Sequence, residues 1–215
     1  MCKLHFLIRK LKTLSGICHA VLNGEPAEVL QAAIRGHVEG MPSLAKRATL
    51  RHYGKKYAAR TFIETGTFRG DTIAILEPYF ESLYSVELSM DFYLAAQKRF
   101  ESLREKVHLH QGDSAIQLAG ILKQVQGCAL IWLDAHYSGK DTARGETDTP
   151  IMAELSLIAH QSLDKHIILI DDARGFGIDP AYPELQTIAD FAKKQGYHFE
   201  NRFDIIRLVP LELQA

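Results

Sequence analysis

Cysteine is scarce. Cys2, Cys18 and Cys128 form no CxxC pair and no framework spacing, which argues against a disulfide scaffold and suits a reducing, cytoplasmic compartment. Long apolar runs are also missing. No stretch approaches the roughly 20 uninterrupted apolar residues that a spanning helix needs. The apolar start, Met1 to Leu14, is broken by Lys3, Arg9, Lys10 and Lys12, so it lacks the continuous core of a secretory signal. Low-complexity tracts and internal repeats are absent. With 47% hydrophobic and 24% charged residues over 215 positions, the composition is that of a globular protein, large enough for one domain plus a modest extension.

Net charge is small as well, at −1, but it is unevenly spread. Residues 1–60 carry 11 Lys/Arg against 3 Asp/Glu, so this segment is near +8 and the remainder near −9. A basic arm of this kind can meet an anionic acceptor or surface, or it can dock on its own acidic body or on a sister subunit. No basic motif interleaved with aromatics accompanies it, so nucleic acid is not the expected partner. Leu4, Leu7, Ile8, Leu11 and Leu14 recur at helical spacing. A second helix is expected from Glu25-Pro26 to about Val38, and a third over Ser43 to Tyr53. The amphipathic extension leaves a homodimer open.

From Thr61 onward, short apolar runs alternate with longer amphipathic ones. Strands are expected at Thr61–Thr65, Leu83–Glu87, Val107–Gln111, Ala129–Asp134 and His166–Asp171. Helices are expected near Asp71–Tyr79, Ser89–Leu103, Ser114–Val125 and Pro150–His160. This alternation predicts an α/β fold with a parallel sheet and right-handed crossovers. After a helix near Pro183–Gln195, Tyr197–Glu200 and Ile205–Val209 flank a tight turn at Asn201–Phe203, which adds an antiparallel terminal hairpin. The division is therefore residues 1–60, a basic helical extension, and residues 61–215, the α/β domain.

Chemistry concentrates where those strands end. Glu64-Thr65-Gly66-Thr67-Phe68-Arg69-Gly70 closes the first strand, where a doubly wound sheet binds its ligands. Gly66 permits a sharp turn, and Gly70 permits close packing at the next helix. The carboxylate of Glu64 would repel a pyrophosphate but hold an α-amino group, which favours S-adenosylmethionine (SAM) over NAD. Glu87 ends the second strand, where an acidic residue can take both ribose hydroxyls. Asp113 and Ser114 follow the third, positioned to accept from an adenine amine or to cap the following helix.

Over Thr61 to Val209 these residues resemble the class I SAM-dependent methyltransferases, and the loop Glu64 to Gly70 is most similar to the catechol and caffeoyl-coenzyme A type. The resemblance implies a seven-stranded Rossmann-like sheet, mostly parallel with an antiparallel last strand, and SAM as methyl donor bound by Glu64, Gly66, Thr67, Gly70, Glu87, Asp113 and Ser114.

Asp134 ends the fourth strand in Ile131-Trp132-Leu133-Asp134-Ala135-His136, and Asp171-Asp172 ends the fifth. Three carboxylates converging there would raise one another's pKa. A divalent cation would relieve this, and an all-oxygen set suits Mg²⁺ or Mn²⁺. The same positions, Asp134, Asp171 and Asp172, resemble the ligands of metal-dependent O-methyltransferases, including those acting on macrolide sugars. The lysine and aspartate that serve as bases in those groups are replaced here by Tyr137 and His136. His136 is thus the candidate general base, with Asp134 the other catalytic candidate. The expected activity is methylation of a small hydroxylated acceptor, a sugar or a phenol. The alternatives are an inactive SAM-binding module, an NAD-dependent oxidoreductase, or a methyltransferase that needs no metal. The polar segment Ser138 to Thr149, with Lys140 and Arg144, is expected to act as a lid or specificity loop.

Overall fold

The computed structural model describes residues 24–37, 40–134, 150–161 and 165–214, together with Ser15, Ile17, Cys18 and Val21. The expected helix through Leu14, the base candidate His136 and the loop with Lys140 and Arg144 lie outside the described residues. In chain order the elements are α1 (Ala27–Ile34), α2 (Ser43–Lys56), β1 (Thr61–Thr65), α3 (Asp71–Leu76), β2 (Ser82–Glu87), α4 (Met90–Arg99), β3 (Val107–Gln111), α5 (Ser114–Leu122), β4 (Ala129–Leu133), α6 (Ile151–Gln161), β5 (Ile167–Ile170), α7 (Leu185–Gln195), β6 (Tyr197–Arg202) and β7 (Ile205–Pro210).

The strands form one seven-stranded sheet in the order β3-β2-β1-β4-β5-β7-β6. β1 to β5 pair in parallel, whereas β7 runs antiparallel to both β5 and β6. The order reverses between β1 and β4, so the crevice above their carboxyl ends is the natural ligand site.

Burial on both faces explains why these strands read as continuous apolar runs rather than alternating ones. On one face, Ile63, Ile131, Leu133, Ile168 and Ile170 pack under α5, α6 and α7 through Leu118, Leu155 and Ile188. On the other, Phe62, Leu83, Leu130, Trp132 and Leu169 pack under Leu50 and Tyr53 of α2 and Ile73 and Leu76 of α3. Helix α2 thus belongs to the core of the sheet.

Its place is fixed by charge as well as by packing. Arg207, in the middle of β7 and 1% exposed, points to the α2 face. There its Nη1 lies 2.5 Å from Glu25 Oε1 and 3.3 Å from the Tyr53 hydroxyl. Arg202 reaches the same Glu25 oxygen at 2.5 Å. One carboxylate ahead of α1 therefore joins the extension to the hairpin across a sequence separation of 182 residues.

The hairpin turn sits one residue later than expected. Phe203 and Asp204 connect β6 to β7, and both have positive φ, 52° and 61°. That pair of values is the type I′ turn, whose twist matches the strands it joins. Phe203 is buried among Val29, Ala32, Ala33, Met41 and Ala45, and this packing holds the turn against α1 and α2.

Candidate active site

The loop after β1 is shaped by its backbone. Gly66 has φ +92°, and the Gly66 and Thr67 amides both donate to the Val86 carbonyl, at 2.9 and 3.2 Å. Gly70, at φ +75°, caps α3, and a Cβ there would stand 2.7 Å from the Phe100 ring. Between them Phe68 holds φ +47°, a conformation uncommon for a bulky residue and one that concentrates at functional sites.

Glu64 shares the α2 face of β1 and is 1% exposed. The Ser85 hydroxyl donates to its Oε1 at 2.7 Å, and Thr67 Oγ1 lies 2.5 Å from that same hydroxyl. Glu64 forms no ion pair among the described residues. Burial pushes its carboxyl up to about 8, only partly offset by Ser85 and the more distant charge of Arg47.

Glu87 is arranged differently. Its Oε2 accepts from the Phe68 amide at 2.7 Å and its Oε1 from the Ser89 amide at 2.8 Å. It therefore ties the β1 loop to the start of α4 and keeps the second lone pair of each oxygen for a ligand. Asp113 caps α5 by accepting from the Ala115 amide at 2.8 Å. Ser114 is buried beside it, near Glu154 of α6, which is fully buried. Burial pushes the Glu154 carboxyl up to about 7 although the Ser114 and Thr65 hydroxyls favour its charged form. Neither Glu154 oxygen closes a hydrogen bond of ordinary geometry, so the two hydroxyls act on it only weakly and burial dominates.

Past β4, the Asp134 amide donates to the Thr65 carbonyl at 3.2 Å, and its Oδ2 accepts from Trp132 Nε1 at 3.3 Å. Burial first, then the nearby Asp171 charge, push its carboxyl well above the ordinary range. After β5, Asp171 and Asp172 come together as expected. Their close third partner is Asp204 of the hairpin turn rather than Asp134: ligand oxygens of Asp171, Asp172 and Asp204 all lie within 4.8 Å of one another.

This trio is occupied by side-chain cations. Lys46, in the first turns of α2, places Nζ 2.5 Å from Asp171 Oδ1, 3.0 Å from Asp172 Oδ1 and 3.9 Å from Asp204 Oδ2. Arg174 Nη1 lies 2.8 Å from Asp172 Oδ1 and also pairs with Asp204. Burial disfavours the Lys46 charge, but the two aspartates outweigh it and raise its pKa. Three carboxylates suit a hard cation by chemistry. With an ammonium already among them, however, the arrangement does not fit Mg²⁺ or Mn²⁺ unless Lys46 leaves.

Tyr182 stands near the same carboxylates and packs on Phe176 with ring centroids 5.0 Å apart; burial raises its hydroxyl pKa and the aspartates add to the rise. Lys46, Asp204, Tyr182 and Glu154 were not among the expected site residues. Lys46 is one of five Lys/Arg in α2, and nothing in its local sequence distinguishes it. Asp204 carried a weak signal, since Asp tolerates the left-handed turn conformation, but its carboxylate partners follow only from the tertiary fold.

No protein-family model matches the chain, and no curated protein matches it by sequence. Solved structures do match. The chain is similar to the SAH-bound methyltransferase PaMTH1 of Podospora anserina, at 17% identity and TM-score 0.57 over 79% of each chain. It is similar to the O-methyltransferase of Bacillus cereus in complex with SAH, at 16% identity and TM-score 0.57 over 92% of this chain and 90% of that one. It is also similar to TomG, the Streptomyces achromogenes O-methyltransferase involved in tomaymycin synthesis and solved with SAM, at 17% identity and TM-score 0.55 over 79% of this chain and 81% of that one. The fold is theirs. It is the Rossmann-like methyltransferase sheet, with the reversed last strand that separates it from a plain dinucleotide-binding domain. At such identities the likeness resides in the sheet order and the crevice, and the chemistry has to be argued from this chain's own side chains.

Proposed function

We propose that this protein is a SAM-dependent methyltransferase that methylates a hydroxyl of a small acceptor, a sugar or a phenol, in a reducing compartment such as the cytoplasm. The observation that carries the reading is Glu64: a carboxyl at the sheet's switch point, fully buried, raised to about 8 and without a cationic partner among the described residues. The α-ammonium of SAM supplies that partner. Glu87, with one lone pair left on each oxygen, takes the ribose hydroxyls, Gly66 and Thr67 line the turn, and Asp113 and Ser114 border the base. A pyrophosphate brought to the same turn would meet an acidic wall, which disfavours NAD.

In the reaction, the acceptor oxygen must lose its proton and stand opposite the sulfonium. The S–CH₃ bond breaks as the O–CH₃ bond forms, leaving SAH, and the proton passes to Asp134 or to His136. Asp134, when ionised, is suited to accept it because burial and the neighbouring Asp171 charge make its carboxylate a stronger base than an ordinary one. Lys46 holds the place among the carboxylates that a divalent ion would take, so a chelator-resistant reaction is the expected form.

Calorimetry with SAH tests the donor site directly. Binding is expected for the natural chain and weakening by at least about tenfold for Glu64→Gln; tight NADH binding with no SAH binding would reverse the assignment. Methyl transfer from labelled SAM to a panel of sugars and phenols then distinguishes an enzyme from an inactive binding module. Within that assay, Asp134→Asn and His136→Ala identify the base, whose removal lowers kcat by about 10²–10⁴.

A further inference from the structure

We infer that Lys46 is a built-in cation of the active site, taking the place that a divalent metal would hold among Asp171, Asp172 and Asp204. Asp171, Asp172 and Asp204 bring ligand oxygens within 4.8 Å of one another, and like charges so close call for a cation between them. Lys46 meets that need with a single charge and three donors, reaching two of the carboxylates at 2.5 and 3.0 Å. The ammonium is delivered from a rigid support. Ala45 and Leu50 on the same helix are buried, Thr49 Oγ1 bonds back to the Ala45 carbonyl at 3.1 Å, and Met41 just ahead of the helix is buried against Phe203. Asp204 is brought in by the turn that Phe203 anchors, so α2 and the hairpin close on the cluster from two sides. A metal entering this site would have to strip the ammonium from its carboxylates and leave that charge without a partner.

The role is one of positioning. Lys46 pairs with the Asp171 and Asp172 carboxylates and fixes their orientation, without the Lewis acidity that a metal would supply. The inference rests on the methyltransferase reading only for its catalytic consequence; the competition between ammonium and metal is measurable on the folded protein alone.

The test is a Mn²⁺ titration followed by electron paramagnetic resonance on the natural chain and on Lys46→Met, with thermal unfolding to confirm that the variant folds. The natural chain is expected to show no stoichiometric Mn²⁺ binding, and Lys46→Met to bind one ion at least about tenfold more tightly. In the transfer assay the natural chain is expected to keep its rate in EDTA, whereas Lys46→Met loses activity and recovers part of it on adding Mg²⁺. Stoichiometric Mn²⁺ binding by the natural chain overturns the inference without any variant, so a Lys46→Met protein that fails to fold does not shelter it. A folded Lys46→Met that gains no Mn²⁺ affinity overturns it as well. Failure of SAH to bind would instead strike the methyltransferase reading and leave the metal titration to be judged separately.

Discussion

Two buried acids decide how this protein responds to pH. Glu64 and Glu154 hold their protons to about 8 and about 7 in the folded chain, whereas an unfolded Glu loses its proton near 4.3. Between those values the native state binds more protons than the unfolded one, so stability falls as pH rises. Thermal unfolding should show the protein more stable at pH 5 than at pH 8, the reverse of a protein stabilised by ionised carboxylates. Glu154→Gln should flatten that slope and recover roughly 3 kcal/mol near pH 8, provided the amide finds the Ser114 and Thr65 hydroxyls.

Ligand binding should run the other way at Glu64. An α-ammonium beside it favours the charged form, so SAH affinity should rise as pH climbs toward about 8. Calorimetry across pH 6 to 9 checks this. A profile flat over this range, or one unchanged in Glu64→Gln, would remove Glu64 from the donor site.

Among the elements, the β6–β7 turn has the most to lose. Asp204 accepts from the Arg174 amide at 3.1 Å, pairs with the Arg174 guanidinium, and sits in the left-handed region. Asp204→Ala removes one of the two carboxylates that Arg174 pairs with, Asp172 remaining, and places an alanine where Asp, Asn or Gly are preferred, so a loss of about 1–3 kcal/mol is expected in denaturant unfolding. Asp204→Asn keeps the turn and should cost less.

Elements were also the scale at which the sequence was most legible. Thr61–Thr65 and Val107–Gln111 match their strands residue for residue, and the other core strands differ by a residue at one or both ends. Strands buried on both faces leave an unbroken apolar signature, and the chain spells them out. The helix from Pro26 stopped short of its expected end because the chain turns at Gly36, φ +85°, whereas α2 ran on to Lys56, three residues beyond Tyr53. Asp204 was not expected beside Asp171 and Asp172. Asp134 follows a strand as Asp171 does, so sequence order alone puts the two together. That Asp204 is the closer partner depends on how far the hairpin folds back over β5, and on Phe203 seating between α1 and α2, which no local pattern encodes.

At the scale of the whole molecule, α1 and α2 contribute side chains to the fold's interior. Glu25 is enclosed between Arg202 and Arg207, and Tyr53 lies under Arg207 with the guanidinium 5.3 Å from its ring centre. Glu25→Ala would leave Arg202 and Arg207 with the less buried Glu200 as their remaining carboxylate partner and should cost about 3 kcal/mol in chemical unfolding, against a marginal total of about 5–15. Glu25→Gln should cost less, because its amide oxygen still accepts. A chain begun at Thr61 would expose Phe62, Leu83 and Trp132 where α2 covers them, and should be insoluble or molten by near-ultraviolet circular dichroism.

The clasp between Glu25 and Arg207 also sets a schedule for the newborn polypeptide. At roughly 5–20 residues per second of synthesis, the 182 residues between these partners take about 10–40 s to emerge. Throughout that interval the opening helices have left the ribosome while the strand that receives them is still untranslated. Their basic, half-apolar surfaces must wait exposed or be shielded by a chaperone. The contact between Glu25 and Arg207 is therefore among the last to form.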